Sequence, residues 1–153
     1  MSHPWYEASA VSHVQLLAQA YRHWFGMDLV VPSEGQSLAE AYFTARIIIV
    51  SHGTQPDPVL NYGNQIALQL WEMDWATLTR TPSRYTAEAP DRAERARLLE
   101  AVTRDGYIKN YAGIRVSSTG RRFRIERATV WNLLDTQGVY RGQAATFSHW
   151  DFI

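Results

Sequence analysis

Hydrophobic positions recur every three or four residues from Val11 to Phe25, where Val14, Leu17, Ala18, Tyr21 and Phe25 form one stripe. That period predicts an amphipathic helix, with Ser9 or Ser12 as its cap and Gly26 as its stop. A short apolar link, Leu29 to Val31, leads to Pro32-Ser33. Ser37-Leu38-Ala39-Glu40 then has the spacing of a capping box, for a second helix through Phe43. The apolar run next becomes compact and β-branched at Ile47 to Val50, which predicts a buried strand. The Gln55-Pro56-Asp57-Pro58 cluster makes a turn, and Val59 to Tyr62 is the returning strand of a first hairpin.

Helical spacing resumes after Asn64, which is placed to cap a helix carrying Ile66, Ala67, Leu70 and Trp71. Trp75 and Leu78 continue in a shorter turn that ends near Thr81-Pro82-Ser83. Asp91 to Asp105 has the strongest helical signature: a capping box at Asp91-Arg92-Ala93-Glu94, a buried edge of Leu98, Leu99 and Val102, and Gly106 as a stop. Arg92, Arg95, Arg97 and Arg104 read as its solvated face. Beyond Tyr107 the period falls to two. Tyr111–Val116, Phe123–Leu133 and Tyr140–Phe147 read as strands, joined by turns at Ser117-Ser118-Thr119-Gly120 and Asp135-Thr136-Gln137-Gly138. Strict alternation turns Phe123, Ile125, Thr129, Trp131 and Leu133 inward, and Arg124, Glu126, Ala128, Val130 and Asn132 outward. This order of elements predicts an α+β fold, a five-stranded antiparallel sheet with short helices on one face, preceded by N-terminal helices.

Composition narrows the function classes. Lys+Arg and Asp+Glu both number 15, so the net charge is zero and no field draws the chain to nucleic acid or an acidic membrane surface. With no cysteine, disulfides, thiolate catalysis, cysteine-ligated zinc, iron–sulfur clusters and a flavin–cysteinyl adduct are all ruled out. The start, Met1-Ser2-His3-Pro4-Trp5, has no basic-then-apolar signal pattern, and the Ile47–Val50 run is far short of the ~20 residues that span a bilayer. The expected location is the cytoplasm, with no membrane partner. Six Trp, eight Tyr and five Phe promise a ring-rich core, or a pocket walled by some of those rings.

Several local runs resemble the MEKHLA domain, a PAS-like family found alone in bacteria and at the C-terminus of plant class III homeodomain–leucine-zipper proteins. They are Ser51-His52-Gly53-Thr54, Asn61-Tyr62-Gly63-Asn64, Leu70-Trp71-Glu72-Met73, Pro82-Ser83-Arg84-Tyr85-Thr86-Ala87-Glu88, Ser117 to Phe123 and Val130-Trp131-Asn132. The resemblance implies a PAS-like fold over residues 37–153, with residues 1–36 as an N-terminal helical extension. It also implies a sensory or regulatory role. The sequence carries no homeodomain and no zipper heptads, so the plant DNA-binding context is not expected to transfer.

The expected site is a pocket between sheet and helices, lined by His52, Tyr62, Trp71, Arg84, Tyr85, Thr129 and Trp131 and holding a small organic ligand. Arg84 is the candidate clamp for an anionic group, or else pairs with Glu88, Glu126 or Asp91 to hold its segment down. His52 is either a ligand-orienting or acid–base group at the rim of the sheet or a histidine bonded to the adjoining turn. Two rival functions remain open: a metal-free isomerase or hydrolase using His52 as acid/base with Arg84, and a protein-interaction module. His3, His13, His23, His52 and His149 have no metal-ligand spacing, so no metal is expected. A single axial histidine needs no motif, which leaves haem open. A homodimer through the N-terminal helix is an allowed arrangement.

Overall fold

A computed structural model describes Trp5 and residues 7–153, so His3 lies outside the described residues. The first helix, α1, is Ala8–Phe25, and Gly26 ends it in a left-handed conformation at φ 68°. Ser9 and Ser12 lie inside the helix rather than capping it; Glu7 is the cap residue and no side chain bonds there. α2 (Leu38–Thr44) does begin at Ser37, whose hydroxyl accepts from the Glu40 amide at 3.1 Å. A β-hairpin follows, β1 (Ile48–His52) and β2 (Leu60–Gly63), then α3 (Gln65–Trp71), α4 (Trp75–Leu78) and a 3-10 turn at Ser83–Thr86. α5 is Ala89–Asp105. It starts from Glu88 with Pro90 in its first turn, so Asp91 stands inside the helix and its capping-box spacing goes unused.

Three long strands complete the fold: β3 (Tyr107–Val116), β4 (Arg122–Leu134) and β5 (Tyr140–Phe147). The five strands run in the order β2-β1-β5-β4-β3, and every pairing is antiparallel. A sixth strand, β6 (His149–Phe152), folds back on the start of β4, with Phe152 opposite Phe123. The fold is therefore the expected α+β one, extended by a strand where the sequence suggested only a chain end. Helices cover both faces of the sheet. α1 and α2 pack on the outer face against Ile49, Tyr62, Trp131 and Leu133; α3 and α5 pack on the inner face against Ile48, Phe123, Ile125, Val130 and Phe147.

The alternation expected along β4 breaks at one place. Tyr111 pairs with Ala128 and Gly113 with Ile125, so two residue steps on β3 match three on β4. The additional β4 residue lies at Glu126–Arg127, and Arg127 takes a left-handed φ of 54°. Because side chains alternate with a period of two, one inserted residue exchanges the faces of everything beyond it. Ala128 therefore clusters with Ile125 on the inner face, Val130 packs on α5, and Asn132 bonds the end of α5. Trp131 and Leu133 turn to the outer face beneath α1, reversing the expected orientation. A matching irregularity near Asn110, at φ 58°, restores the ladder on β3.

Asn64 ties both helical layers to the hairpin. It is fully buried, and its amide is used on both sides. Oδ1 accepts from the Ile49 amide at 3.1 Å and from the Ala67 amide at 3.3 Å, which caps α3 as expected. Nδ2 donates to the carbonyls of Tyr42 at 3.1 Å and Ile47 at 2.7 Å. Asn64→Ala removes these four contacts and strands buried backbone groups from three elements. Urea denaturation is expected to register a loss of about 2–4 kcal/mol; a change below about 1 kcal/mol would contradict this role.

Candidate functional site

A cleft of about 560 Å³, open mouth included, lies between the inner sheet face and α5, with Trp71 of α3 at one side. Its walls are mostly apolar, built from Leu98 and Leu99 of α5 and from Val50, Ile125, Val130 and Phe147 of the sheet. The small side chain of Ala145 on β5 leaves room where a larger residue would close the space. Apolar walls interrupted by a few polar groups are the usual lining of a small-molecule site.

Polar residues interrupt these walls, among them His52, Arg95, Arg115 and Gln143. His52 ends β1 and is buried, with Nδ1 3.0 Å from the Gly53 carbonyl. Donation to that carbonyl leaves Nε2 as the acceptor nitrogen, and Nε2 has no partner among the described residues. Burial lowers the His52 pKa; the Gly53 carbonyl opposes the shift, nearby Arg95 adds to it and the Gln143 amide opposes it. The ring is therefore neutral at pH 7. Its position is enforced from β5, since a Cβ on Gly142, at φ 129°, would meet the His52 carbonyl oxygen at 2.1 Å. Trp71, 3% exposed, packs edge-on to Phe123 at 5.3 Å, and its indole N–H is likewise unpaired.

The two guanidiniums line the same cleft and lie within electrostatic reach of each other. Arg115 is 6% exposed and donates to the Ile114 carbonyl at 2.8 Å and the Tyr111 hydroxyl at 3.1 Å. Tyr111 passes its own proton toward Glu94 at 2.8 Å, so a carboxylate answers Arg115 only through an intermediary. Arg95, on the inner side of α5, has no hydrogen bond or ion pair among the described residues. Burial, followed by the neighbouring Arg115 charge, pushes its pKa down to about 10. Gln143 closes the end of the site by donating to Leu99 O, Thr103 Oγ1 and Asn132 Oδ1 at 3.0–3.1 Å.

The structure separates the seven residues expected to share a pocket. His52 and Trp71 line the cleft. Tyr62 and Trp131 are fully buried in the outer-face core under α1, with Tyr62 edge-on to Trp75 at 5.6 Å and Trp131 edge-on to Tyr21 at 5.1 Å. Thr129 follows the same switch of face and stands opposite Thr146, away from the lining. Arg84 is at the surface, bonded through Nε and Nη2 to Asp57 at 3.1–3.2 Å, and Tyr85 is exposed between Arg84 and Arg92. An acid–base pairing of His52 with Arg84 is thus not assembled in the cleft. Among the described residues no three His, Asp or Glu side chains converge as metal ligands would.

Arg95 and Arg115 take the place expected for Arg84. Arg95 was legible in principle: residues 95, 98, 99 and 102 fall on one helical stripe, so it belongs with Leu98, Leu99 and Val102 rather than with the solvated arginines. For Arg115 and Gln143 the signal is only strand parity, which an unseen bulge can invert.

A family model described as the MEKHLA domain matches residues 11–152. The chain is 26% identical over 149 residues to the homeobox-leucine zipper protein ATHB-14 of Arabidopsis thaliana, covering 94% of this chain and 18% of that protein. It is 30% identical over 107 residues to ATHB-9 of the same plant, covering 70% and 13%. The chain thus spans less than a fifth of the curated relatives it matches. Among solved structures, a PAS domain from Colwellia psychrerythraea superposes with TM-score 0.62 at 15% identity, over 75% of this chain and 92% of that one. A light-oxygen-voltage domain studied with a flavin analogue gives 0.60 at 16% identity, over 78% and 86%. These likenesses establish a PAS-type fold. No helix among the described residues is long and apolar enough to cross a membrane.

The buried histidines make stability depend on pH. Burial holds His13, whose Nε2 contacts Ser51 Oγ at 2.8 Å, at about 4, and lowers His52 as well. In the unfolded chain both protonate near pH ~6.5, so the unfolded state gains protons first as pH falls. Unfolding free energy is expected to be flat from about pH 7 to about 9 and to decline from about 6.5 toward 4. Urea titrations of the His13→Gln, His52→Gln double variant should show a flatter decline between about pH 6.5 and 5; an unchanged profile would contradict the assignment.

Proposed function

The chain belongs to the MEKHLA domain family, and from that premise we propose that it is a small-molecule-binding regulatory module whose ligand occupies the cleft between the inner sheet face and α5. The observation that carries this reading is a pair of buried polar atoms, His52 Nε2 and Trp71 Nε1, without partners on residues that line the cleft. Each such atom costs about 1–3 kcal/mol while unpaired. A guest that offers a donor to the imidazole and an acceptor to the indole removes both penalties at once. The solved neighbours of this fold include light-oxygen-voltage domains, one studied through its flavin. A cysteine–flavin adduct is unavailable to a chain without cysteine. The balanced net charge supports a module that acts through its ligand and its own surface rather than by gripping nucleic acid.

Ala145→Leu tests this by filling the cleft from β5. The unliganded variant is expected to gain about 1 kcal/mol, or roughly 2–4 °C in melting temperature for a chain of this size. A fragment library that raises the melting temperature of the wild type should leave the variant unmoved. Hits retained by the variant, or no hits on the wild type, would overturn the reading.

A further inference from the structure

Six surface arginines show the pairing that the two cleft arginines lack. Arg22, Arg84, Arg104, Arg122, Arg124 and Arg141 all stand at the surface, and each is ion-paired to an Asp or Glu at 2.6–3.5 Å. The two in the cleft have no such partner, although burial makes one more valuable there than in water. No Asp or Glu is among the residues that line the cleft. Arg95 has only another cation, Arg115, and the phenol of Tyr111 as electrostatic neighbours, and it lies within electrostatic reach of His52. Leaving a guanidinium half-buried beside a like charge weakens the empty protein. An incoming anion converts that cost into a charge-assisted, two-pronged contact.

The rest of the site sets the kind of anion. Arg115 already commits donors to Ile114 and Tyr111, so Arg95 offers the main free fork, whose two parallel N–H groups match the edge of one carboxylate. His52, held neutral with its Nδ1 engaged, requires a hydrogen-bond donor from the guest. The walls between these polar points are aliphatic and aromatic. We propose that the ligand is a small organic carboxylate with a flat or compact apolar body and one hydroxyl or N–H group, the carboxylate held by Arg95 and Arg115 and the donor by His52 Nε2. This rests on the cleft being the ligand site.

Isothermal titration of the full chain with three probes of one shape tests the assignment: 4-hydroxybenzoate, its neutral analogue 4-hydroxybenzamide, and benzoate, which lacks the donor. Wild type is expected to bind 4-hydroxybenzoate at least about tenfold more tightly than either of the others, the ratio of one charge-assisted or one buried hydrogen bond. Arg95→Gln should erase the preference for acid over amide. Because the substitution removes an uncompensated cation, its unliganded form should melt no lower than wild type, which separates loss of binding from loss of folding. If amide and acid bind equally, Arg95→Gln changes neither and Ala145→Leu abolishes both, the cleft remains the ligand site and the carboxylate assignment falls. If none of the three probes binds while the fragment library gives neutral hits, the assignment falls in the same way. If nothing binds at all, the cleft itself is not a ligand site.

Discussion

One inserted residue in β4 decides what this domain presents to its interior. Up to Ile125 the strand places Phe123 and Ile125 against α3; past Arg127 the same parity would have driven Trp131 into the space over α5. The bulge sends that indole to the opposite face, where it fills the core under α1, and leaves Ala128 and Val130 on the inner side. A large ring is thereby exchanged for small and medium side chains where the cleft opens. The outer face gains tight packing and the inner face gains space. Both outcomes follow from a single change of register.

The inner face is then held in shape by amides rather than by bulk. Asn132 donates to Val102 O at 2.9 Å, a carbonyl in the last turn of α5 that also accepts from the Gly106 amide at 2.7 Å. Gln143 bonds Leu99 and Asn132, joining α5 to two strands. This network spaces the helix from the sheet without filling the gap. Within the gap, Arg95, His52 Nε2 and Trp71 Nε1 are left without partners among the described residues. Tyr62 OH and Trp131 Nε1 are unpaired too, but in the filled outer-face core, whereas the cleft atoms border open space that a guest can enter.

Much of the fold was legible because local signals and tertiary packing agree. Gly26, Ser37 and Asn64 act at helix ends as their types suggest, and the hairpin signals at Ser117–Gly120 and Asp135–Gly138 lie between the strands they predict. The site was less legible for a definite reason. Alternation was extended through Glu126–Arg127, and no glycine there announces a left-handed residue, so Thr129 and Trp131 were assigned to the wrong face. Arg84 attracted notice through its unusual loop, yet loop geometry delivers it to Asp57. Arg95 was hidden among four arginines of one helix, although its spacing to Leu98, Leu99 and Val102 identifies it with the buried stripe.

Two tryptophans provide the most direct measurement. Trp71 and Trp131 both carry buried, unpaired indole N–H groups, one beside the cleft and one beneath α1. In a nitrogen-15 correlation spectrum assigned by Trp71→Phe and Trp131→Phe, titration with 4-hydroxybenzoate should displace the Trp71 indole resonance and leave that of Trp131 in place. Displacement of the Trp131 resonance with Trp71 unmoved would mean that the guest lies on the other face of the sheet, and the cleft described here would not be the binding site.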